Sequence, residues 1–227
     1  MDRKKIVQIA KRSLRKSEGK KALNYLKEHR GISNAIIDEF NFGYCPSNVN
    51  HQLKDRIITP IYDLYGEVVA LSTRSMTIPK GEKNHFWHES FDKSFYLYGL
   101  CCARDNIIKY KKVIIVEGEF DVAALHSYGF NMAVGICGSA FSLAQTSLLS
   151  RFCSDFYLVF DRDEAGDFAL KRSIEMYDEF NLDIYGIRYI PVKLPNNTDP
   201  DKYIRENGKH KFKELLAKTK EEYNLIN

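Results

Sequence analysis

No run in this chain approaches the roughly 18 consecutive apolar residues that cross a bilayer, so the 227 residues read as a soluble protein with no membrane partner. No secretory cleavage signal follows the N-terminus, and Asp2 and Glu18 interrupt a basic stretch that a transit peptide would keep free of acids. Cysteine is sparse: Cys45, Cys101, Cys102, Cys137 and Cys153 are odd in number and irregular in spacing. That pattern argues against a disulfide framework and for reduced thiols in the cytoplasm. His85 and His88 precede Cys101-Cys102, but structural zinc sites show paired ligands at short regular spacing, and adjacent cysteines are poor partners, so zinc is not expected. Excess charge is also small. The +4 left by 34 Lys+Arg over 30 Asp+Glu decides no partner by itself. There is no repeat, low-complexity tract or long flexible linker.

What is present is an ordinary apolar share, 44%, in a chain long enough for one large domain or two small ones. The charge is unevenly placed. Met1 to Arg30 holds eleven Lys/Arg against three acids, which suits a polyanion such as nucleic acid or, equally, a solvated helix face. Two rhythms divide the chain. Ala22, Leu23, Tyr25 and Leu26 recur at helical spacing, and Ser33 is placed to cap a helix carrying Ile36, Ile37 and Phe40. RIITPIYDLYGEVVALSTRS (56–75) predicts two antiparallel strands about Tyr65-Gly66, with Pro60 marking an edge or a bulge. From Lys111 onward, strands (113–116, 132–136, 156–160, 184–190) alternate with helices (121–128, 141–152, 166–180). The expectation is a small basic α+β subdomain over 1–108, followed over 109–227 by an α/β domain with a mostly parallel sheet flanked by helices and a C-terminal helical segment.

In such a sheet the site lies beyond the carboxyl ends of the strands. VIIV runs into Glu117-Gly118-Glu119-Phe120-Asp121, FYLVF into Asp161-Arg162-Asp163, and the fourth strand is followed by Asp199-Pro200-Asp201. If the strand geometry persists, Asp161 and Asp163 face one side with Cα atoms about 6.5–7 Å apart, a separation that a divalent cation can bridge. Gly118 and Gly166 permit tight strand-to-helix turns. Six acids (Glu117, Asp121, Asp161, Asp163, Asp199, Asp201) on one rim would repel unless protonated or neutralised by metal, and oxygen donors favour magnesium or manganese. Taken singly, each acid is also a plausible helix cap, and for Asp121, Asp163 and Glu164 both roles can coexist.

These residues resemble the TOPRIM domain, with its Glu-Gly motif after one strand (Glu117-Gly118) and Asp-x-Asp after a later one (Asp161-Arg162-Asp163). The flanking sequence is similar to the RNA polymerase core of DnaG-type primases. VEGEFDVAAL matches V-E-G-x-x-D-V-x-A-L, FDRDEAGDFAL matches an apolar residue followed by D-x-D-x-A-G-x-x-A, and DPDKYIRENGKHKF matches a D-P-D…G-x-x-x-F run. YLKEHRGIS, FNFGYCP, the 56–74 hairpin and FYLYGL resemble the N-terminal subdomain of that core, so the likeness covers about residues 20 to 215.

The resemblance implies a metal site of Glu117, Asp121, Asp161, Asp163, Asp199 and Asp201, with Glu117, Asp161 and Asp163 catalytic, and Glu117 either a ligand or a proton shuttle. It places Arg30, Arg74, Lys83, Lys93 and the Gly138-Ser139 loop on nucleotide or template, and leaves Arg56 undecided between phosphate contact and surface cation. The implied activity is synthesis of short RNA primers on single-stranded DNA from ribonucleoside triphosphates, with two or more Mg²⁺ or Mn²⁺ ions. The setting implied is a bacterial or phage-infected cytoplasm, with a phage-like chain. The family's zinc ribbon and helicase-binding domain have no counterpart in these residues, and the sequence leaves open whether a zinc-binding module or a replicative helicase is supplied by another chain. His85 to Ser90 replaces a family segment that holds the first nucleotide, and Trp87 there is open to base stacking or packing. Two alternatives use the same residues: a TOPRIM nuclease, or a non-catalytic module that binds nucleic acid or a replication partner.

Overall fold

Two largely buried strands between Arg56 and Ser75, joined by a turn in which the Gly66 N–H donates to the Asp63 carbonyl, make the hairpin around which the N-terminal part is built. In the computed structural model, which describes residues 2–79, 81–138 and 140–226, β1 (Gly43–Cys45), β2 (Arg56–Tyr62), β3 (Val68–Ser75) and β4 (Phe86–His88) form an antiparallel sheet in that order. Pro60 sits in a central strand, yet it is tolerated. β1 pairs only with Arg56, Ile57 and Ile58, so at Pro60 the strand has β3 alone as neighbour, and the register shifts just beyond, between Ile61 and Tyr62.

Helix α1 (Arg3–Leu14) buries Ile6, Val7, Ala10, Ser13 and Leu14, the one-face spacing of a 3.6-residue period. Ile6, Val7 and Ala10 enter a core cluster with Cys45, Leu53, Ile58 and Leu71. Gly43 allows the close approach of β1 to this helix, since a Cβ there would lie 2.5 Å from that of Ala10. The basic residues of α1 face outward, and three cations at this end pair with acids nearby: Arg3 with Glu89, Lys4 with Glu67 and Arg15 with Asp38. Exposed pairs of this kind add little stability. Next come α2 (Lys20–Asn24), a π-helical turn over Tyr25–His29, and α3 (Asn34–Glu39), whose Ile36 N–H donates to the Ser33 hydroxyl as expected of a cap.

In the C-terminal part the strands are near-continuous apolar runs because both faces of the sheet are covered. β5 (Lys112–Val116), β6 (Ala133–Gly135), β7 (Asp155–Leu158) and β8 (Arg188–Pro191) are all parallel, in the order β6-β5-β7-β8. The connecting helices are α5 (Glu119–Ser127), α6 (Leu143–Ser150) and α7 (Glu164–Glu179), with α4 (Leu100–Tyr110) ahead of the sheet. The last helix, α8 (Pro200–Ile226), is broken by the left-handed Gly208. The fourth strand begins later than its apolar pattern suggests. Leu182–Tyr185 forms a 3₁₀ turn closed by Gly186 at φ 74°, which leaves Ile184 and Tyr185 in solvent. Among the described residues no helix is long and apolar enough to cross a membrane.

The chain divides into two units, Met1–Phe91 and Asp92–Asn227, upstream of the 108/109 boundary expected from sequence rhythm. Residues 92–108 belong with the parallel sheet for a physical reason. Tyr98 exchanges both backbone hydrogen bonds with Gly135 of β6 (2.8 and 3.0 Å), and α4 buries Leu100, Ala103 and Ile107.

His126 on α5 is 3% exposed, its Nε2 lies 3.0 Å from the Ala133 carbonyl, and burial lowers its pKa to about 4. The unfolded chain protonates such a ring near 6.5, so between about 6.5 and 4 the unfolded state binds the extra proton. The stability contributed by the neutral ring is fully present above that window and lost as pH falls through it, by about 3 kcal/mol in all. Urea unfolding at pH 7 and pH 4.5 should therefore show a steeper loss for the unsubstituted chain than for His126→Gln.

Candidate active site

Because the four strands of the second sheet are parallel, their carboxyl ends share one edge, and the chain leaves that edge through acids. Glu117 is the first residue after β5. Its Oε1 accepts the Asp161 N–H at 2.9 Å, joining the ends of β5 and β7. Asp163 is the N-cap of α7 and accepts the Gly166 N–H at 2.9 Å, while Asp199 caps α8 through the Lys202 N–H. Capping at these two positions coexists with a place on the rim. Asp121 does not cap α5. It lies in the first turn, and its Oδ1 accepts the Asp201 N–H at 3.1 Å, which joins α5 to α8. Asp201 is fully buried and its Oδ1 accepts from Arg205 Nε at 2.6 Å.

The electrostatics follow from this crowding. Burial raises the Asp121 carboxyl well above the ordinary range, the negative charges of Asp161, Asp199 and Asp201 push it further, and the Asp201 N–H opposes them. Burial raises Glu117 as well, with Asp163 adding repulsion against the hydrogen bond from Asp161. The six acids are therefore mutual electrostatic neighbours in two overlapping groups, Glu117–Asp161–Asp163 and Asp121–Asp161–Asp199–Asp201. In the arrangement observed, no three His, Cys, Asp or Glu side chains among the described residues close on one ion. Several oxygens are turned onto backbone N–H groups instead.

The local fold nevertheless suits a hard divalent cation. Every donor is oxygen, and two glycines keep the cradle open. A Cβ on Gly118 would stand 2.7 Å from Asp121 Oδ2, and one on Gly166 would stand 2.2 Å from the Asp161 carbonyl and 2.7 Å from Glu117 Oε1.

Lys93 and Gly138 lie together in this unit, with an added Cβ at Gly138 falling 3.9 Å from Lys93 Cβ. Gln145, 1% exposed, arranges them. Its Nε2 donates to the carbonyls of Lys93 (3.1 Å), Tyr96 (2.7 Å) and Ile136 (2.9 Å). Sequence reading missed this residue. The signal was the Ser142-x-x-Gln145 capping box, which the structure forms. Ser139 lies outside the described residues.

In the N-terminal unit Arg30 and Arg74 converge on Tyr25, also unforeseen. Arg30 Nε donates to the Tyr25 hydroxyl at 2.7 Å, and the two guanidiniums lie 5.6 and 4.9 Å from the ring centroid, with Arg74 also 5.0 Å from Phe86. Tyr25, stacked on His29, lines a cavity of about 590 Å³ with Lys20, Lys21, Asn24 and Met76. Lys83 is exposed and outside this cluster. Arg56 is not a surface cation. It is 5% exposed and donates to Thr73 Oγ1 (2.6 Å) and the carbonyls of Asn84 (2.7 Å) and His85 (3.0 Å), bracing β2. Trp87 packs against the α1–sheet core cluster.

With the geometry in hand, comparison with known proteins is specific. Residues 114–204 match the family described as Toprim-like. The chain is 31% identical over 252 residues to a DNA primase of Synechococcus elongatus, covering 93% of this chain and 36% of that protein. It thus spans about a third of that relative's length. Among solved structures, the DnaG catalytic core superposes with a TM-score of 0.83 at 26% identity, covering 95% of this chain and 78% of that one. A DnaG primase catalytic domain bound to ssDNA superposes with a TM-score of 0.82 at 26% identity, covering 95% and 79%.

The Gly166 contacts carry a direct expectation. Gly166→Ala forces its Cβ onto the Asp161 backbone, and equilibrium urea unfolding should show a loss of about 1–3 kcal/mol, the usual cost of overpacking.

Proposed function

Because the chain belongs to the DnaG-type primase family and carries its catalytic-core fold, we propose that it synthesises short RNA primers on single-stranded DNA from ribonucleoside triphosphates. The observation that carries this reading is the meeting of acids from three strand ends on one sheet edge, bound by the Glu117–Asp161 and Asp121–Asp201 contacts. The family uses divalent metal ions. In this chain Glu117, Asp121, Asp161, Asp163, Asp199 and Asp201 are the residues to hold them, two or more Mg²⁺ or Mn²⁺. Bound there, the ions supply activation of the primer 3′-hydroxyl and charge neutralisation for the departing pyrophosphate.

The chain's own residues do the rest. Glu117, raised by burial, is suited to hold a proton or a metal beside Asp161. Lys93 and the Gly138 loop offer a cation and an open backbone to the triphosphate, positioned by Gln145. Arg30, Arg74 and Lys83 are assigned to phosphates of template or nucleotide, contacts that fix register without reading sequence. A single-stranded template agrees with the ssDNA-bound relative. The setting is the cytoplasm of a bacterial or phage-infected cell, and a replicative helicase and a zinc-binding module are the proposed partners.

The test is template-dependent ribonucleotide incorporation with Mg²⁺ or Mn²⁺. Asp161→Ala should lose that activity while unfolding at the same temperature. Wild-type activity in the variant sinks the assignment. Cleavage of labelled DNA or RNA without nucleotides would select a nuclease instead, and chelator-insensitive strand binding with neither reaction would select a binding module.

Arg30→Ala should weaken binding to an unstructured oligonucleotide and reduce the slope of log affinity against log salt by about 0.7, one phosphate contact on a single strand. Fluorescence anisotropy across a salt series measures both.

A further inference from the structure

Asp201 is the most enclosed acid of the rim, at 0% side-chain exposure, and one turn along α8 Arg205 reaches it with an Nε–Oδ1 distance of 2.6 Å. The backbone of the same residue looks the other way, donating its N–H to Asp121 Oδ1 at 3.1 Å. Asp201 therefore sits between a cation on its own helix and an acid on α5. Its place is fixed by the start of α8: Pro200 enters the first turn, and Asp199 accepts the Lys202 N–H. An acid four residues ahead of a cation is the favourable orientation on a helix.

We propose that Arg205 is a positioning residue for the metal-binding rim. It holds Asp201, and through the Asp201 N–H it holds Asp121, in the arrangement that receives cations. The inference rests on the primase reading above, because it concerns the same acids. The geometry directs the guanidinium at a buried carboxylate.

The physical reason is local charge balance. Asp121 already feels Asp161, Asp199 and Asp201. Without Arg205 the buried Asp201 carboxylate loses a charge-assisted hydrogen bond, a costly change that the chain relieves by moving the carboxylate. That movement pulls on the Asp201–Asp121 hydrogen bond. Lysine at position 205 restores the charge but not the planar donor that Nε presents, so it restores the function in part.

The experiment is Mn²⁺ titration of the full chain followed by electron paramagnetic resonance of the free ion, alongside primer synthesis. Arg205→Gln should raise the Mn²⁺ dissociation constant about tenfold and lower kcat, with the ribonucleotide KM little changed and Arg205→Lys between the two. In an Asp201→Asn background, Arg205→Gln should have no further effect on Mn²⁺ affinity, since the two residues act as one unit. Unchanged Mn²⁺ affinity in both Arg205 variants overturns the proposal, as does a rise in KM alone, which would place Arg205 on substrate. If Arg205→Gln does not fold, Arg205→Lys and the double variants decide the matter by the same readouts. A failure of the unsubstituted chain to bind Mn²⁺ saturably overturns the metal reading itself. Saturable binding that Arg205 variants leave intact overturns only this inference.

Discussion

Repulsion between carboxylates is the constraint from which the rest of the C-terminal unit can be understood. Six acids at one sheet edge, two of them raised by burial, are not a low-energy arrangement for a bare protein. The fold accommodates five of them with a local partner: the Asp161 N–H for Glu117, the Asp201 N–H for Asp121, helix N-termini for Asp163 and Asp199, and Arg205 for Asp201. Four of these partners are backbone N–H groups, which keep the acids in place without cancelling their charge; only Arg205 brings an opposite one. A rim so arranged is poised to gain from cations, and phosphoryl chemistry needs cations where charge develops.

The surroundings serve the same end. Gly118 and Gly166 let backbone and carboxylate come closer than any side chain would permit. Gln145 ties the Lys93–Tyr96 segment to the end of β6, so a cation and a loop are delivered to the sheet by a buried amide rather than by chance. In the N-terminal unit the logic is different. There arginines are held by an aromatic ring, and Arg30 and Arg74 share Tyr25, which orients two guanidiniums.

Much of this was legible beforehand because it depends on local rules. Apolar runs alternating with helical periods indicated a parallel sheet, and acids placed directly after those runs had to emerge on its carboxyl edge. Ser33 and Pro60 behaved as cap and bulge neighbour. Other features were illegible because they depend on contacts distant in sequence. Arg56 reads like any strand-end cation, and only its carbonyl and Thr73 partners reveal a brace. Tyr25 opens the YLKEHRGIS stretch, but its role beside Arg74 depends on a residue far along the chain. The apolar letters of Ile184 and Tyr185 suggested a strand, but no neighbour pairs with them and Gly186 turns the chain away.

By itself, then, the sequence determined the class of the fold, the edge on which the acids gather and the all-oxygen character of their side chains, since periodicity and residue type act within a few positions of each other. Tertiary structure decided which acid leans on which, that Asp201 is buried against Arg205, that Trp87 serves packing, and that residues 92–108 belong with the parallel sheet. Those outcomes depend on the desolvation and pairing of groups brought together from different strands and helices, and no local pattern encodes which partner will arrive.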